Sequence, residues 1–344
     1  MRRALALAEK GLFTTTPNPR VGCVLAHGET VVGEGWHEKA GGPHAEVVAI
    51  AQAGARAAGA TLYVNLEPCS HHGRTPPCIE LIKKNKIKRV IAAMLDPNPE
   101  AAHGGEGLAA GGIGFEHGLL ETEARELNIG FVSRMTRGRP WVRMKIAATL
   151  DGRTALSNGK SRWITGPEAR KDGHRWRARA CAILTGIGTV KADDPRLTVR
   201  EVETPRQPLR VVVDSRLEIS ENARVLEGGG ALVFSAIESG RKLHAEVQCL
   251  PNAGGKVELP AMLEELARRG INEVHVEAGF RLNGSLVREG CVDEVLLYLN
   301  PSFLGDAAQG MVLLPEFSSL DERIQMKIAS MDRIGDDIRI LART

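Results

Sequence analysis

The feature that most restricts the fold is a double run of alternation. Short apolar, strand-like segments take turns with helical ones, stop at Thr136-Arg137-Gly138-Arg139-Pro140, and begin again. Such alternation builds sheets covered by helices, so each run predicts an α/β sandwich around a mostly parallel sheet. In the first run, helices are expected over 2–10, 44–58 and 119–131, and strands over 21–25, 31–36, 61–66 and 89–93. Thr75-Pro76-Pro77 opens one more helix, since proline suits a first turn that needs no donor. In the second run, strands are expected over 142–147, 182–185, 209–214, 231–234, 273–277 and 294–299, and helices over 167–180, 260–269 and 282–289. The segments 323–329 and 337–342 read as a closing antiparallel hairpin. A chain of 344 residues is too long for one ordinary core. The boundary therefore falls at the turn, giving domains 1–138 and 139–344. The glycine-rich stretch 101–114 reads as a flexible connection and a poor helix; no Lys-Ser/Thr follows it to make a phosphate loop.

Charge and composition exclude more than they assign. A formal charge of +3 and 4% aromatic residues give no general case for a nucleic-acid or membrane partner. The first residues lack a signal-peptide core, and no apolar run approaches the roughly 18 residues of a membrane span. Six scattered cysteines in such a chain read as thiols or metal ligands rather than a disulfide framework. The expectation is a cytoplasmic protein.

The chemical signal lies in the first run, as His44-Ala45-Glu46, Pro68-Cys69 and Pro77-Cys78. One imidazole and two thiolates suit zinc, and three protein ligands leave a fourth position for water. His44 and Cys78 fall at expected helix starts, where the helix dipole favours thiolate, and Cys69 follows a strand. Glu46, two residues beyond His44, leaves its helix in another direction and is placed to shuttle a proton from water to a leaving amine. Taken singly, His44 is a helix cap, Glu46 a dipole complement and each cysteine a core filler. Together they describe a zinc deaminase site, an assignment of zinc to His44, Cys69 and Cys78 with Glu46 catalytic. The general signature of such sites has two residues between its cysteines, whereas here eight intervene. Within that insert His71 and His72 compete as ligands, but softer thiolates at preset strand and helix ends suit zinc better.

The second run is quieter. Gly186-Ile187-Gly188 after a strand begins like a dinucleotide fingerprint but lacks its third glycine, so a plain turn explains it equally well. Asp214 ends a strand, where an acid can bind an adenosine ribose. Ser215 and Arg216 follow at once and suit a 2′-phosphate instead, which tilts the cofactor toward NADPH. The segment from Gly279 to Ser285 between strand and helix is either a pyrophosphate cradle or a glycine-assisted turn.

Asn18-Pro19-Arg20-Val21-Gly22, Pro43-His44-Ala45-Glu46, Leu66-Glu67-Pro68-Cys69 through Cys78, and Asp96-Pro97-Asn98-Pro99 together resemble the bifunctional riboflavin-biosynthesis deaminase/reductases. The long insert between the cysteines is typical of that family. Thr149-Leu150-Asp151-Gly152-Arg153, Trp163-Ile164-Thr165, Ala192-Asp193-Asp194-Pro195 and Val276-Glu277-Ala278-Gly279 extend the resemblance over nearly the whole chain. It departs at Ala102-His103-Gly104-Gly105-Glu106-Gly107, where the family has a more regular Val-Ala-Gly pattern.

The resemblance implies a cytidine-deaminase-like α/β/α sandwich followed by a dihydrofolate-reductase-like α/β domain. Its substrate would be 2,5-diamino-6-(5-phosphoribosylamino)pyrimidin-4(3H)-one, deaminated by the first domain and then reduced from ribosyl to ribityl by the second with NADPH. One zinc per chain and a self-associating protein are implied. By the same resemblance Asn18, His37 and Arg74 hold the first substrate. Ala147, Trp163, Thr189, Asp193, Ser215, Gly279, Phe280, Arg281, Leu282, Asn283, Gly284 and Ser285 lie near NADPH. Lys145, Ser161, Arg177, Leu197, Arg200 and Glu277 lie near the sugar phosphate.

Two other readings make different demands. A nucleoside or transfer-RNA deaminase with an accessory domain needs a basic, aromatic-bearing groove, which the composition does not favour. A zinc-stabilised nucleotide-binding module needs a closed site, with His71 or His72 as fourth ligand and no role for Glu46.

Overall fold

A computed structural model describes residues 1–71 and 76–344. The chain divides into two compact units, Met1–Gly138 and Arg139–Thr344.

The first unit contains, in order, α1 (Arg2–Glu9), β1 (Gly22–His27), β2 (Thr30–Trp36), α2 (Ala45–Ala53), β3 (Thr61–Val64), α3 (Cys78–Lys84), β4 (Arg89–Ala92), α4 (Gly104–Ala110), β5 (Gly114–His117), α5 (Glu121–Leu127) and α6 (Ile129–Arg137). Among the described residues the strands form one sheet in the order β2-β1-β3-β4-β5. Only its β3-β4-β5 half is parallel; β1 runs antiparallel to both β2 and β3. A hairpin of two short strands needs no crossover, which explains why the mostly parallel expectation fails here. The core, including Leu25, Leu62, Val64, Ile82 and Val90, lies between the sheet and its helices.

Three elements differ from the sequence expectation. α2 stops at Ala53, because Gly54 takes a positive φ of 57° and the chain tightens into a 3₁₀ turn. The single helix expected over 119–131 is two, broken at Asn128. Asn128 spends its side chain on Arg20, accepting from its backbone N–H at 2.8 Å and donating to its carbonyl at 3.0 Å. The glycine-rich stretch holds a real helix, α4, and it packs tightly. A Cβ on Gly104 would stand 1.9 Å from the Pro68 carbonyl oxygen.

The second unit contains β6 (Trp141–Thr149), β7 (Arg153–Ala155), α7 (Pro167–Arg179), β8 (Ala182–Gly186), α8 (Ile187–Asp193), β9 (Leu209–Val213), β10 (Ala231–Ser235), β11 (Glu246–Cys249), α9 (Leu259–Arg268), β12 (Glu273–Val276), α10 (Phe280–Arg288), β13 (Glu294–Asn300), β14 (Gln309–Gly310), β15 (Lys327–Ile334) and β16 (Asp337–Arg343). Its large sheet runs β11-β10-β9-β8-β12-β6-β13-β16-β15. From β11 to β13 every pairing is parallel, and β16 and β15 close the edge antiparallel, as the expected hairpin does. One face carries the core around Met144, Leu184, Phe234, Leu266 and Val276. The other is split between a cluster around Ile183 and Val233 and a smaller one, around Leu296 and Tyr298, against α7.

Candidate functional sites

In the first unit, two helix starts and one strand end converge. His44 is the residue before α2, Cys78 begins α3 behind Pro77, and Cys69 follows the turn after β3. His44 makes no side-chain capping bond, so its imidazole is free for another task. Its Nδ1 lies 3.2 Å from the Cys78 sulfur and 3.7 Å from the Cys69 sulfur, and the Cys78 backbone N–H donates to the Cys69 sulfur at 3.3 Å. The three ligand atoms all lie within 4.8 Å of one another. Tetrahedral zinc with its usual bond lengths puts nitrogen and sulfur about 3.6 Å apart, so the set fits that ion. His71 does not join this cluster among the described residues; Arg74 and His72 lie outside them.

The two thiols share one proton: hydrogen bonding from Cys78 and the nearby His44 hold the Cys69 thiol well below its ordinary range against burial, while the same contact and burial push the Cys78 thiol up. Glu46, in the first turn of α2 and only 4% exposed, has its carboxyl pushed up by burial, so it can carry a proton. His37 stands edge-on to His44, with ring centroids 5.6 Å apart. Burial lowers its basicity. The neutral ring donates from Nδ1 to the Pro43 carbonyl at 2.9 Å, which leaves Nε2 to accept from the Asn18 amide at 3.0 Å. Asn18 and His37 therefore reach the zinc set as one chain.

Sequence reasoning missed the supports. Asn65 and Asn128 both donate to the Arg20 carbonyl, fixing the segment after Asn18. Glu67 is buried and accepts from the backbone N–H groups of Asp96 and Gly105, tying the Cys69 turn to the start of α4. The signal that could have found it is an acidic residue two positions before a ligand cysteine, with no charged partner nearby in sequence.

In the second unit a cleft of about 850 Å³ opens at the carboxyl ends of the parallel strands. Lys145, Ala147, Ser161, Trp163, Thr189, Asp193 and Glu277 line it, with Gly279, Phe280, Arg281, Leu282 and Asn283. Six expected residues are absent from its wall. Ser215 accepts from the Val257 backbone, Leu197 is buried in the core, Gly284 backs onto the Leu313 backbone, and Ser285 donates to the Arg281 carbonyl. Arg177 grips Glu277 with two parallel hydrogen bonds and donates to the Thr198 carbonyl at 3.0 Å. Arg200 donates to Thr198 and, through its backbone, to His174. Asp214 is 1% exposed and accepts from the Ile219 backbone at 2.8 Å, so it tightens a turn and does not present to a ribose. Arg216 does line the cleft, beside Lys191 and Glu218, which the sequence reading passed over. Lys145 is held below its ordinary basicity by burial, against the pull of Glu277.

Comparison with known proteins matches both units. Residues 1–94 match the family described as the cytidine and deoxycytidylate deaminase zinc-binding region, and residues 140–340 match the RibD C-terminal domain. The riboflavin biosynthesis protein RibD of Escherichia coli is 44% identical, over 98% of this chain and 96% of its own. A solved RibD structure from Acinetobacter baumannii superposes with a TM-score of 0.92 at 39% identity, covering 99% of this chain and 97% of that one. A Thermotoga maritima diaminohydroxyphosphoribosylaminopyrimidine deaminase/5-amino-6-(5-phosphoribosylamino)uracil reductase superposes at 0.91 with 34% identity, covering 100% and 97%.

Proposed function

Because the chain belongs to the RibD family of bifunctional riboflavin-biosynthesis enzymes, we propose that its first unit performs the deamination and its second the reduction, on one pyrimidine ribosyl phosphate. The protein is an enzyme with hydrolase and oxidoreductase activities, using zinc and NADPH. The substrate we assign is 2,5-diamino-6-(5-phosphoribosylamino)pyrimidin-4(3H)-one. The observation that carries the reading is the convergence of His44, Cys69 and Cys78 beside a buried Glu46.

Zinc, when bound, lowers the pKa of a ligated water toward neutrality. His44, Cys69 and Cys78 would hold it. The Glu46 carboxylate takes a proton from the attacking water and returns it to the departing amine, so that C–NH₂ and water become C=O and ammonia. Its raised affinity for protons, caused by burial, suits that exchange. Asn18, fixed by His37, orients the pyrimidine, and Arg74 is assigned to the phosphate.

NADPH, when bound, supplies a hydride. The free N–H groups at the start of α10, from Phe280 onward, suit its pyrophosphate, and Arg216 suits the 2′-phosphate better than buried Asp214 suits a bare ribose. Lys145 supplies positive charge for the sugar phosphate, and Glu277 accepts from a sugar hydroxyl. Reduction of ribosyl to ribityl then requires mainly that these groups hold the sugar against the cofactor.

No helix of the described residues is long and apolar enough to cross a membrane. A cytoplasmic site fits its six free cysteines. Self-association is supported by the edge strand β15, where Ile328 and Met331 are each 66% exposed. We assign no nucleic-acid or membrane partner.

The test is incubation of zinc-loaded protein with the diaminopyrimidine ribosyl phosphate and NADPH, with products identified by mass spectrometry. A product both deaminated and reduced is expected. In Glu46→Gln the metal content should stay and deamination should fall by about two to four orders of magnitude, while reduction of supplied deaminated intermediate continues. Full deamination in that variant would sink the assignment of Glu46.

A further inference from the structure

β12 lies in the middle of the large sheet and sends Glu273 and His275 to one face, with Glu277 continuing the alternation just beyond its end. Glu273 pairs with Arg143 and with Arg179 of α7, and Glu277 pairs with Arg177 of α7. Between the two pairs stands His275, 0% exposed. Its Nε2 lies 3.3 Å from Glu277 Oε1, an ion-pair approach without hydrogen-bond alignment, and among the described residues neither ring nitrogen has a hydrogen-bonding partner. A buried imidazole so poorly provided for is costly. A merely space-filling role does not account for it.

We propose that His275 is a positioning residue for Glu277, turning an Nε2–H to the carboxylate from behind so that one acceptor site faces the cleft. The inference rests on the reading of the second unit as the reductase with Glu277 against the sugar.

The inventory of the carboxylate explains the arrangement. Two oxygens offer about four acceptor sites. Arg177 uses one on Oε1 through Nε and one on Oε2 through Nη2. The His275 Nε2, 3.3 Å from Oε1, is the group placed to take the second site there. One site on Oε2 remains, and Glu277 lines the cleft. Held from two sides, the carboxylate cannot swing the free lone pair on Oε2 away from a sugar hydroxyl. In the neutral ring this requires the single proton to sit on Nε2. Burial favours the neutral form, as do Arg143 and Arg177, while Glu277 opposes it.

The experiment uses the full-length, zinc-loaded protein, with deamination in the same preparation as the control for folding. In His275→Leu the KM for the deaminated pyrimidine ribosyl phosphate should rise about tenfold, the loss of one hydrogen bond to a charged group, with the KM for NADPH and the deamination rate unchanged. In His275→Gln the side-chain amide can donate to the same oxygen, and that KM should return to within about threefold of wild type. An unchanged KM in His275→Leu overturns the proposal. So does a loss that His275→Gln shares in full and that extends to the KM for NADPH, which marks general distortion of the cleft. Independently, ¹⁵N-histidine spectra should show His275 as the Nε2–H tautomer and should move in Glu277→Gln; an Nδ1–H tautomer overturns the proposal whatever the assays give. A wild-type chain that shows the expected tautomer but reduces nothing would instead sink the reductase reading.

Discussion

In the first unit the reactive groups come from one short span, between His44 and Cys78, and each belongs to a residue type with little else to do at a helix start or strand end. In the second unit the cleft draws on residues scattered from Lys145 to Gln309, many of them at the carboxyl ends of parallel strands. The first site is defined by ligand chemistry, which few side chains can supply. The second is defined by topology, which leaves the identity of most wall residues free. A zinc set is therefore conspicuous in a sequence, whereas a dinucleotide cleft is not. The same contrast predicts that the first site fails abruptly when one atom is changed and the second fails by degrees.

The sharpest break should come from Cys78→Ser. A hydroxyl in place of a thiolate removes one of the three ligands proposed among the described residues. Zinc content should drop to near zero and deamination by at least about three orders of magnitude. Reduction of supplied deaminated intermediate should persist within about twofold, since none of the described residues of that unit lines the cleft. Metal analysis and the two separate assays decide it. A parallel loss of both activities would mean that the units are not chemically independent.

These differences also decide how much could be read from the sequence. His44, Glu46, Cys69 and Cys78 were legible because their residue types and their places at element boundaries pointed to the same chemistry. Six strands of the parallel run and its antiparallel closure were legible from alternation alone; the seventh, β11, which is short and polar, was not. The break at Asn128 was illegible because its cause is a hydrogen bond to Arg20, a contact far away in sequence. Asp214 looked like a ribose ligand because strand-end acids often are; only burial shows that it serves the turn to Ile219. Arg177 was assigned through the resemblance to the sugar phosphate, while the structure engages it with Glu277, a pairing between α7 and the end of β12 that no local pattern reveals. The 101–114 stretch failed for another reason. Its glycines weaken a helix taken alone, but they are what let α4 approach the Pro68 backbone.

That last point gives a graded test on the side of the abrupt site. In Gly104→Ala the new methyl meets the Pro68 carbonyl at 1.9 Å, and the turn carrying Cys69 must shift. The Glu67 carboxylate, which ties the same turn to Gly105 and Asp96, resists the shift. Zinc affinity should fall by about ten- to a hundredfold, the usual scale for damage behind a ligand. Competition with a chelator measures it. Unchanged affinity would show that the ligand turn is not braced by α4, and that the site depends on its three ligands alone.

The smallest effect tests the cleft. His174 lies on α7 among Arg177, Arg200 and Lys145, with Glu277 the one opposing charge, and burial and these cations hold its pKa down to about 4. Its Nδ1 accepts from the Arg200 backbone N–H at 3.2 Å, a bond that protonation of that nitrogen would abolish. The unfolded chain protonates histidine near pH 6.5. Between there and about 4, the unfolded state binds a proton that the folded state refuses, so stability is lost as pH falls through that window and is complete above it. The melting temperature of the second unit should drop by about 3–6 °C across the window because of this residue, and His174→Asn should flatten the slope by that amount. Saturating sugar phosphate should flatten it as well, because an anion offsets the cations that hold the ring neutral. A slope unaffected by either change would mean that Lys145, Arg177 and Arg200 do not act together on His174, and the view of the second site as a gradual, many-residue construction would lose its electrostatic half.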